Sequence, residues 1–285
     1  MMAPMTHDHP LRVPPGPVDL TSIPTDATPG FKGGKRRGKA ALLALGDDLS
    51  ELQERLFAEG LKGSNRRILL VLQGMDTSGK GGVVRHTVGL LDPQGVRITS
   101  FKAPTEDERA HDFLWRIRRA VPQPGYLGVF DRSHYEDVLI ARVHGLAPPD
   151  EIERRYPAIN DFERELVDAG TTIIKCMLHI SPEEQKARLL ARLDDPTKHW
   201  KYNPGDLTER VHWPRYRDAY EIALERTNTE HAPWHVIPSD RKWFKNLAVG
   251  RLLHDALTAM NPQWPPADFD VEAERKRLLE EAPVS

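Results

Sequence analysis

Residues 67–87 read RILLVLQGMDTSGKGGVVRHT, an apolar, β-favouring run set directly against Gly74-x-Asp76-x-x-Gly79-Lys80-Gly81-Gly82 and then a stretch compatible with a helix. Strand, glycine-rich loop and helix in that order make a phosphate cradle. The glycines let the backbone turn tightly so that its N–H groups point at phosphate oxygens, and the helix N-terminus adds a partial positive charge. Lys80 supplies a full charge at the same spot. Gly74, Thr77, Ser78, Gly79, Gly81 and Gly82 are accordingly assigned to phosphate or nucleotide binding. The position after the lysine carries Gly81 where the usual G-x-x-x-x-G-K-[ST] pattern has a magnesium-binding hydroxyl. A metal ligand must then come from elsewhere, and Asp76 inside the loop is the candidate.

Working outward, strand-like runs recur at 96–101, 125–130, 171–178 and 234–238, separated by long helical segments. Strands alternating with helices imply an α/β fold, a mainly parallel central sheet of about five strands flanked by helices in three layers. Leu42, Leu43, Leu45, Leu49, Leu52 and Leu56 fall at helical spacing and predict one helix over 40–60. Ser181-Pro182-Glu183-Glu184 and Asp206-x-x-Glu209 read as helix starts. Residues 1–34 are rich in Pro, Gly, Thr and Asp, with little to bury, and read as a flexible leader. Within it, His7-Asp-His9 resembles a metal pair but has no further ligand nearby, so a mobile tail is preferred. The basic run at 32–39 reads as a solvated linker, with contact to a polyanion as the alternative.

The 40 basic and 42 acidic residues nearly cancel, so no global field argues for nucleic acid. The lone Cys176 cannot form an intrachain disulfide and sits in an apolar run, as a structural thiol. No apolar stretch is long enough to span a bilayer and the N-terminus has no apolar signal region. A cytoplasmic protein without membrane partners is expected.

The run 129–136, VFDRSHYE, delivers Asp131 at the carboxyl end of a strand about 50 residues after the phosphate loop, the placing of a Walker B carboxylate. Ligands bind beyond the carboxyl ends of such strands, so Asp76 and Asp131 should converge and hold a cation between themselves and phosphate. Arg132 adds a guanidinium fork for phosphate, with a salt bridge to a neighbouring loop as the alternative. Ser133 and Glu136 read as a capping box. In 185–201, Arg188 and Arg192 share a helix face, and Lys198, His199 and Lys201 follow in a loop. Next to a phosphate loop, that segment reads as a lid that excludes water and neutralises charge.

Together these stretches resemble the family-2 polyphosphate kinases, P-loop enzymes related in fold to thymidylate kinase. The resemblance runs from about residue 40 to 265 and is carried by GMDTSGKGG (74–82), SFKAPTEDE (100–108), HDFLWRI (111–117), GVFDRSHYEDVL (128–139), the segment 179–206 and APWHVIPSDRKW (232–243). It implies a P-loop kinase domain at 35–265 with a lid at about 182–215, and a C-terminal surface tail at 266–285. It also implies magnesium-dependent transfer, with manganese as a substitute, between inorganic polyphosphate and adenine or guanine nucleoside mono- or diphosphates. By the family's pattern Asp76, Lys80, Asp131 and Arg132 are catalytic, Asp76 and Asp131 hold the metal, and Arg188, Arg192, Lys198 and Lys201 meet polyphosphate. A homo-oligomer is expected. The alternatives are an ATP-dependent small-molecule kinase and a non-catalytic phosphate sensor.

Overall fold

The computed structural model describes residues 9–281. Its centre is a five-stranded sheet in the order β2-β3-β1-β4-β5, with every neighbouring pair parallel. The strands are β1 (Arg67–Gln73), β2 (Val96–Ser100), β3 (Leu127–Asp131), β4 (Thr171–His179) and β5 (Trp234–Pro238). Central β1 reads as an unbroken apolar run because both of its faces are covered, the usual state of a parallel strand. Leu70 pairs with Val129 on one side and Ile174 on the other.

Side-chain alternation along the strands divides the core into two. Leu69, Val71, Phe130, Ile173, Met177, Trp234 and Val236 face one layer; Ile68, Leu70, Leu72, Val129, Ile174, Cys176 and Ile237 face the other. The helices, in chain order, are α1 (Lys35–Ala44), α2 (Gly46–Leu61), α3 (Lys80–His86), α4 (Glu106–Arg109), α5 (Trp115–Ala120) and α6 (Ile140–His144). They continue with α7 (Pro149–Asp168), α8 (Pro182–Leu193), α9 (Pro204–Glu209), α10 (Trp213–Thr227), α11 (Lys242–Met260) and α12 (Val271–Glu280). α5, α6, α7 and α10 close the first layer, and α2, α3 and α11 the second, with α1 laid on α11. Cys176 is buried, and desolvation pushes its thiol far above the usual range, as for a structural cysteine. Among the described residues no helix is long and apolar enough to cross a membrane.

Three expectations are corrected. Residues 9–34 are not a loose leader: Leu11, Val13 and Leu20 are buried, and the chain pairs with the outer edge of β5 through the Arg12–His235 bridge. Val13 N–H donates to Trp234 O and Val236 N–H to Leu11 O, so the segment caps an edge strand that would otherwise present open hydrogen-bonding groups. The His7 side of the suspected metal pair lies outside the described residues, while His9 packs edge-on against His235. The leucine-rich stretch at 40–60 is two helices broken at Leu45, and Leu43 is 68% exposed. The helix expected from Asp206 starts earlier, capped by the Asn203 side chain with Pro204 in its first turn. The Ser181 cap stands, accepting from Glu184 N–H at 3.1 Å. Toward the C-terminus, α12 is an exposed surface helix.

Candidate active site

Gly74 leaves β1 at φ +151°, and a Cβ there would fall 2.7 Å from Leu178 O, so the loop can lie this close to β4 only without a side chain. Thr77 and Arg132 both adopt the left-handed region, at φ 62° and 64°. Backbone strain of this kind persists only where surrounding structure over-determines it, and here both instances flank one site. Lys80, first residue of α3, turns its ammonium back across the loop and donates to Gly74 O at 2.9 Å. Arg132 leaves the end of β3 and its guanidinium meets Asp76 Oδ1 at 3.1 Å. Asp131, the last residue of β3, is in register with Leu72.

The electrostatics confirm that these groups share one space. Desolvation lowers the proton affinity of Lys80, and Arg132 adds to this, while Asp76, Asp131 and Glu136 oppose it. Glu136 is itself pushed up by burial and held down by Arg132 and Lys80. The capping-box reading of Ser133 and Glu136 is thus corrected. Ser133 caps a 3-10 turn by accepting from Tyr135 N–H, and the Glu136 carboxylate faces the site instead.

The loop after β3 stands on a buried polar network. Lys175 Nζ donates to Glu163 (2.6 Å), Tyr135 OH (2.9 Å) and Thr227 O (2.7 Å), and Tyr135 OH donates to Glu163 at 2.7 Å. His134 meets the same carboxylate at 3.2 Å. Only His134 Nδ1 among these side chains lacks a partner, and a buried network bonded this densely fixes geometry, so Arg132 and Glu136 project from a rigid base.

Beside the phosphate loop opens a cavity of about 460 Å³, within the range of small-molecule sites. Asp76, Arg132 and Glu136 line its floor, Gln185, Asp206 and Arg210 its lid side, and Trp213, Tyr216 and Tyr220 its aromatic wall. Trp115 and Trp200 are not among its lining residues: Trp115 stacks on His111, and Trp200 is exposed. The chain is 46% identical over 252 residues to the AMP/ADP-polyphosphate phosphotransferase of Meiothermus ruber, covering 88% of this chain and 93% of that one. It is 39% identical over 280 residues to the ADP-polyphosphate phosphotransferase of Rhodopseudomonas palustris, with 92% of each covered. The crystal structure of Polyphosphate Kinase 2 from Arthrobacter aurescens TC1 superposes with a TM-score of 0.92 at 59% identity over 95% of each chain. A model of the polyphosphate kinase 2 family matches residues 32–265. The chain belongs to the polyphosphate kinase 2 family.

Within this polyphosphate kinase 2 chain the lid cations do not form the single exposed face expected of them. Arg188 is 7% exposed and acts from behind the loop. Its guanidinium donates to Thr77 O, Ser78 O, Ser239 O and Asp240 O at 2.5–3.1 Å, while Nε holds Glu184. It therefore ties the phosphate loop to the turn after β5, and cannot lie along a ligand on the lid surface. Arg192 spans the lid, donating to Lys201 O at 2.9 Å and reaching Asp206 at 3.4 Å. Lys198 pairs with Asp195, and Lys201 lies over the exposed Trp200 ring. Three functional neighbours went unread in the sequence. Gln185 donates to Asp76 O at 2.9 Å, and Arg210 in turn donates to Gln185. Lys245, 2% exposed, donates to Gly79 O at 2.7 Å, and with no carboxylate near it burial lowers its pKa to about 7, helped by Arg188, Lys242 and Lys80. A lysine flanked by Phe244 and Leu247, on the apolar side of its helix, was the available signal.

Proposed function

We propose that the protein transfers the terminal phosphoryl group of inorganic polyphosphate to AMP or ADP bound in the cavity. The observation that carries this reading is the meeting of Lys80, Asp76, Asp131 and Arg132 beside a cavity whose floor includes Asp76 and Arg132 and whose wall is Trp213, Tyr216 and Tyr220. An aromatic wall suits a nucleobase, and the charged floor suits its phosphates. Relatives named for AMP and ADP with polyphosphate support the same substrates. A terminal phosphate oxygen of the nucleotide attacks the end phosphorus of the chain in line. A new P–O bond forms as the bond to the next phosphate breaks, and the chain departs one unit shorter. The attacking oxygen is already anionic, so no general base is required. Lys80 and Arg132 stabilise charge on the transferring group, and the closed lid keeps water away.

The donor set fits magnesium. Among the described residues no three His, Cys, Asp or Glu side chains form a cage. Magnesium needs only one or two carboxylates when phosphates and water complete its shell, and Asp76 and Asp131 would hold it. The buried hydroxyls of Thr77 and Ser78 have no partner in the protein, as expected where phosphate or its hydration water completes the bonding. When bound, the metal neutralises phosphate charge. Manganese as a substitute, guanine nucleotides as further acceptors, a cytoplasmic setting and homo-oligomeric assembly belong to the same proposal. The test is a panel of initial rates with AMP, ADP, GMP and GDP against long-chain polyphosphate, and with ATP as the alternative donor. Polyphosphate-dependent product from the adenine nucleotides is expected; product from ATP alone would replace this reading with that of an ATP-dependent kinase.

A further inference from the structure

At the end of the lid helix α9 two consecutive residues reach to different parts of the fold. Arg210 turns toward the phosphate loop, donating to Pro182 O at 3.1 Å and to the Gln185 side chain that holds Asp76 O. Glu209 turns toward α6 and α10. Its Oε2 lies 2.9 Å from Nε2 of His144, the last residue of α6, and accepts from Tyr216 OH of α10 at 2.9 Å. The hydroxyl and the imidazole are themselves 3.3 Å apart, so side chains from three helices meet at one oxygen atom. His212, three residues further on, packs edge-on against the His144 ring with centroids 5.1 Å apart. α9 buries no residue of its own, so side-chain bonds of this kind, rather than a core, hold it over the cavity.

Burial alone would raise the Glu209 carboxyl, but the bonds from His144 and Tyr216 outweigh it and bring the group below its ordinary value. The carboxylate is therefore ionised, and both bonds to it are charge-assisted. A carboxylate only accepts, so Nε2 carries the proton of the His144 ring. Glu209 and Tyr216 line the cavity, whereas His144 does not. One bond thus joins the lid to the aromatic wall, and the other fastens the lid to a residue outside the acceptor's space. A lid that opens to admit substrate must break both.

We propose that Glu209 is a positioning residue, a latch that seats the lid helix on α6 and α10 and at the same time sets the Tyr216 ring for the acceptor. The inference rests on the acceptor cavity assigned under the proposed function. Its test compares Glu209→Ala, Glu209→Gln, His144→Ala and the Glu209→Ala/His144→Ala double variant with wild type, using ADP, long-chain polyphosphate and magnesium. Both ATP and orthophosphate are measured. Orthophosphate marks the competing step: a water oxygen bonds to the end phosphorus, the bridging P–O bond breaks, a proton passes to solvent, and the chain leaves one unit shorter. In Glu209→Ala and in His144→Ala, kcat/KM for ADP is expected to fall about tenfold, through the loss of charge-assisted bonds. Orthophosphate released per ATP formed should rise several-fold, because a loose lid admits water. A smaller folded fraction would lower both products together and leave that ratio alone. Glu209→Gln keeps an acceptor oxygen in place and should stay within about threefold of wild type, and the double variant should match Glu209→Ala within about twofold. Wild-type kcat/KM and product ratio in Glu209→Ala overturn the latch. A loss in Glu209→Ala that is absent from His144→Ala also overturns it, by making Glu209 a direct contact of the acceptor. Glu209→Gln falling as far as Glu209→Ala does the same, by making the charge rather than the bonds the active feature. Failure of wild type to form ATP from polyphosphate and ADP would instead sink the substrate assignment itself.

Discussion

Asp76 and Lys80 were picked out because both lie in one local motif, and the structure adds what each one touches. Asp76 holds Arg132 and faces the Lys80 ammonium, so replacing it by a neutral amide removes charge that matters most in the transition state. Asp76→Asn is expected to lower kcat by about a hundredfold or more with the denaturation midpoint preserved. A near-normal kcat at saturating magnesium would remove Asp76 from the site. Arg188 was misread for a physical reason: helical spacing shows which residues share a side, but not that this side turns inward. Its four carbonyl partners come from the phosphate loop and from Ser239 and Asp240, distant in the chain. Arg188→Ala should therefore lower stability by about 3 kcal/mol, through buried carbonyls left without donors, and lower kcat as the loop loosens. Arg188→Lys should restore little, because a point charge cannot reach several acceptors at once. A variant with wild-type stability that loses only polyphosphate affinity would return Arg188 to the lid surface.

Elements with a simple period were readable in advance. All five strands lie where apolar runs predicted them, and the parallel order follows from helices intervening between them. What failed was the leader, since Pro- and Gly-rich composition says that a segment cannot build a core of its own, not that it cannot complete another's. Leu11, Val13 and Leu20 do the latter, and His179 Nε2 at the end of β4 meets Leu20 O and Ile23 O at 3.0 and 3.1 Å. Deleting residues 1–34 should cost roughly 5 kcal/mol of unfolding free energy from the three apolar side chains alone. An unchanged urea midpoint would show the packing to be idle. The same contact predicts acid sensitivity. Burial, and then the neighbouring His9, lower the pKa of His235 from 6.5 to about 3. Between those values the unfolded chain binds a proton that the native chain does not. Stability is therefore full above about pH 6.5 and falls as pH drops, by about 1.4 kcal/mol per unit for this one group. His235→Gln should flatten the slope of unfolding free energy between pH 6 and 4 by about that amount; equal slopes would mean that His235 is protonated in the fold.

At the scale of the whole molecule, the phosphate loop borders a cavity whose floor carries Asp76, Arg132 and Glu136 and whose wall is Trp213, Tyr216 and Tyr220. A phosphotransferase must bring acceptor and donor together at one phosphorus, and the loop is where this chain gathers the charges for that meeting. The most direct measurement uses purified protein, magnesium, radiolabelled polyphosphate and unlabelled ADP, with the nucleotides separated after reaction. Label should enter the terminal phosphate of ATP at a rate that Lys80→Ala lowers by about a hundredfold or more. ATP that stays unlabelled, or labelling that survives unchanged in Lys80→Ala, would contradict polyphosphate transfer at this loop.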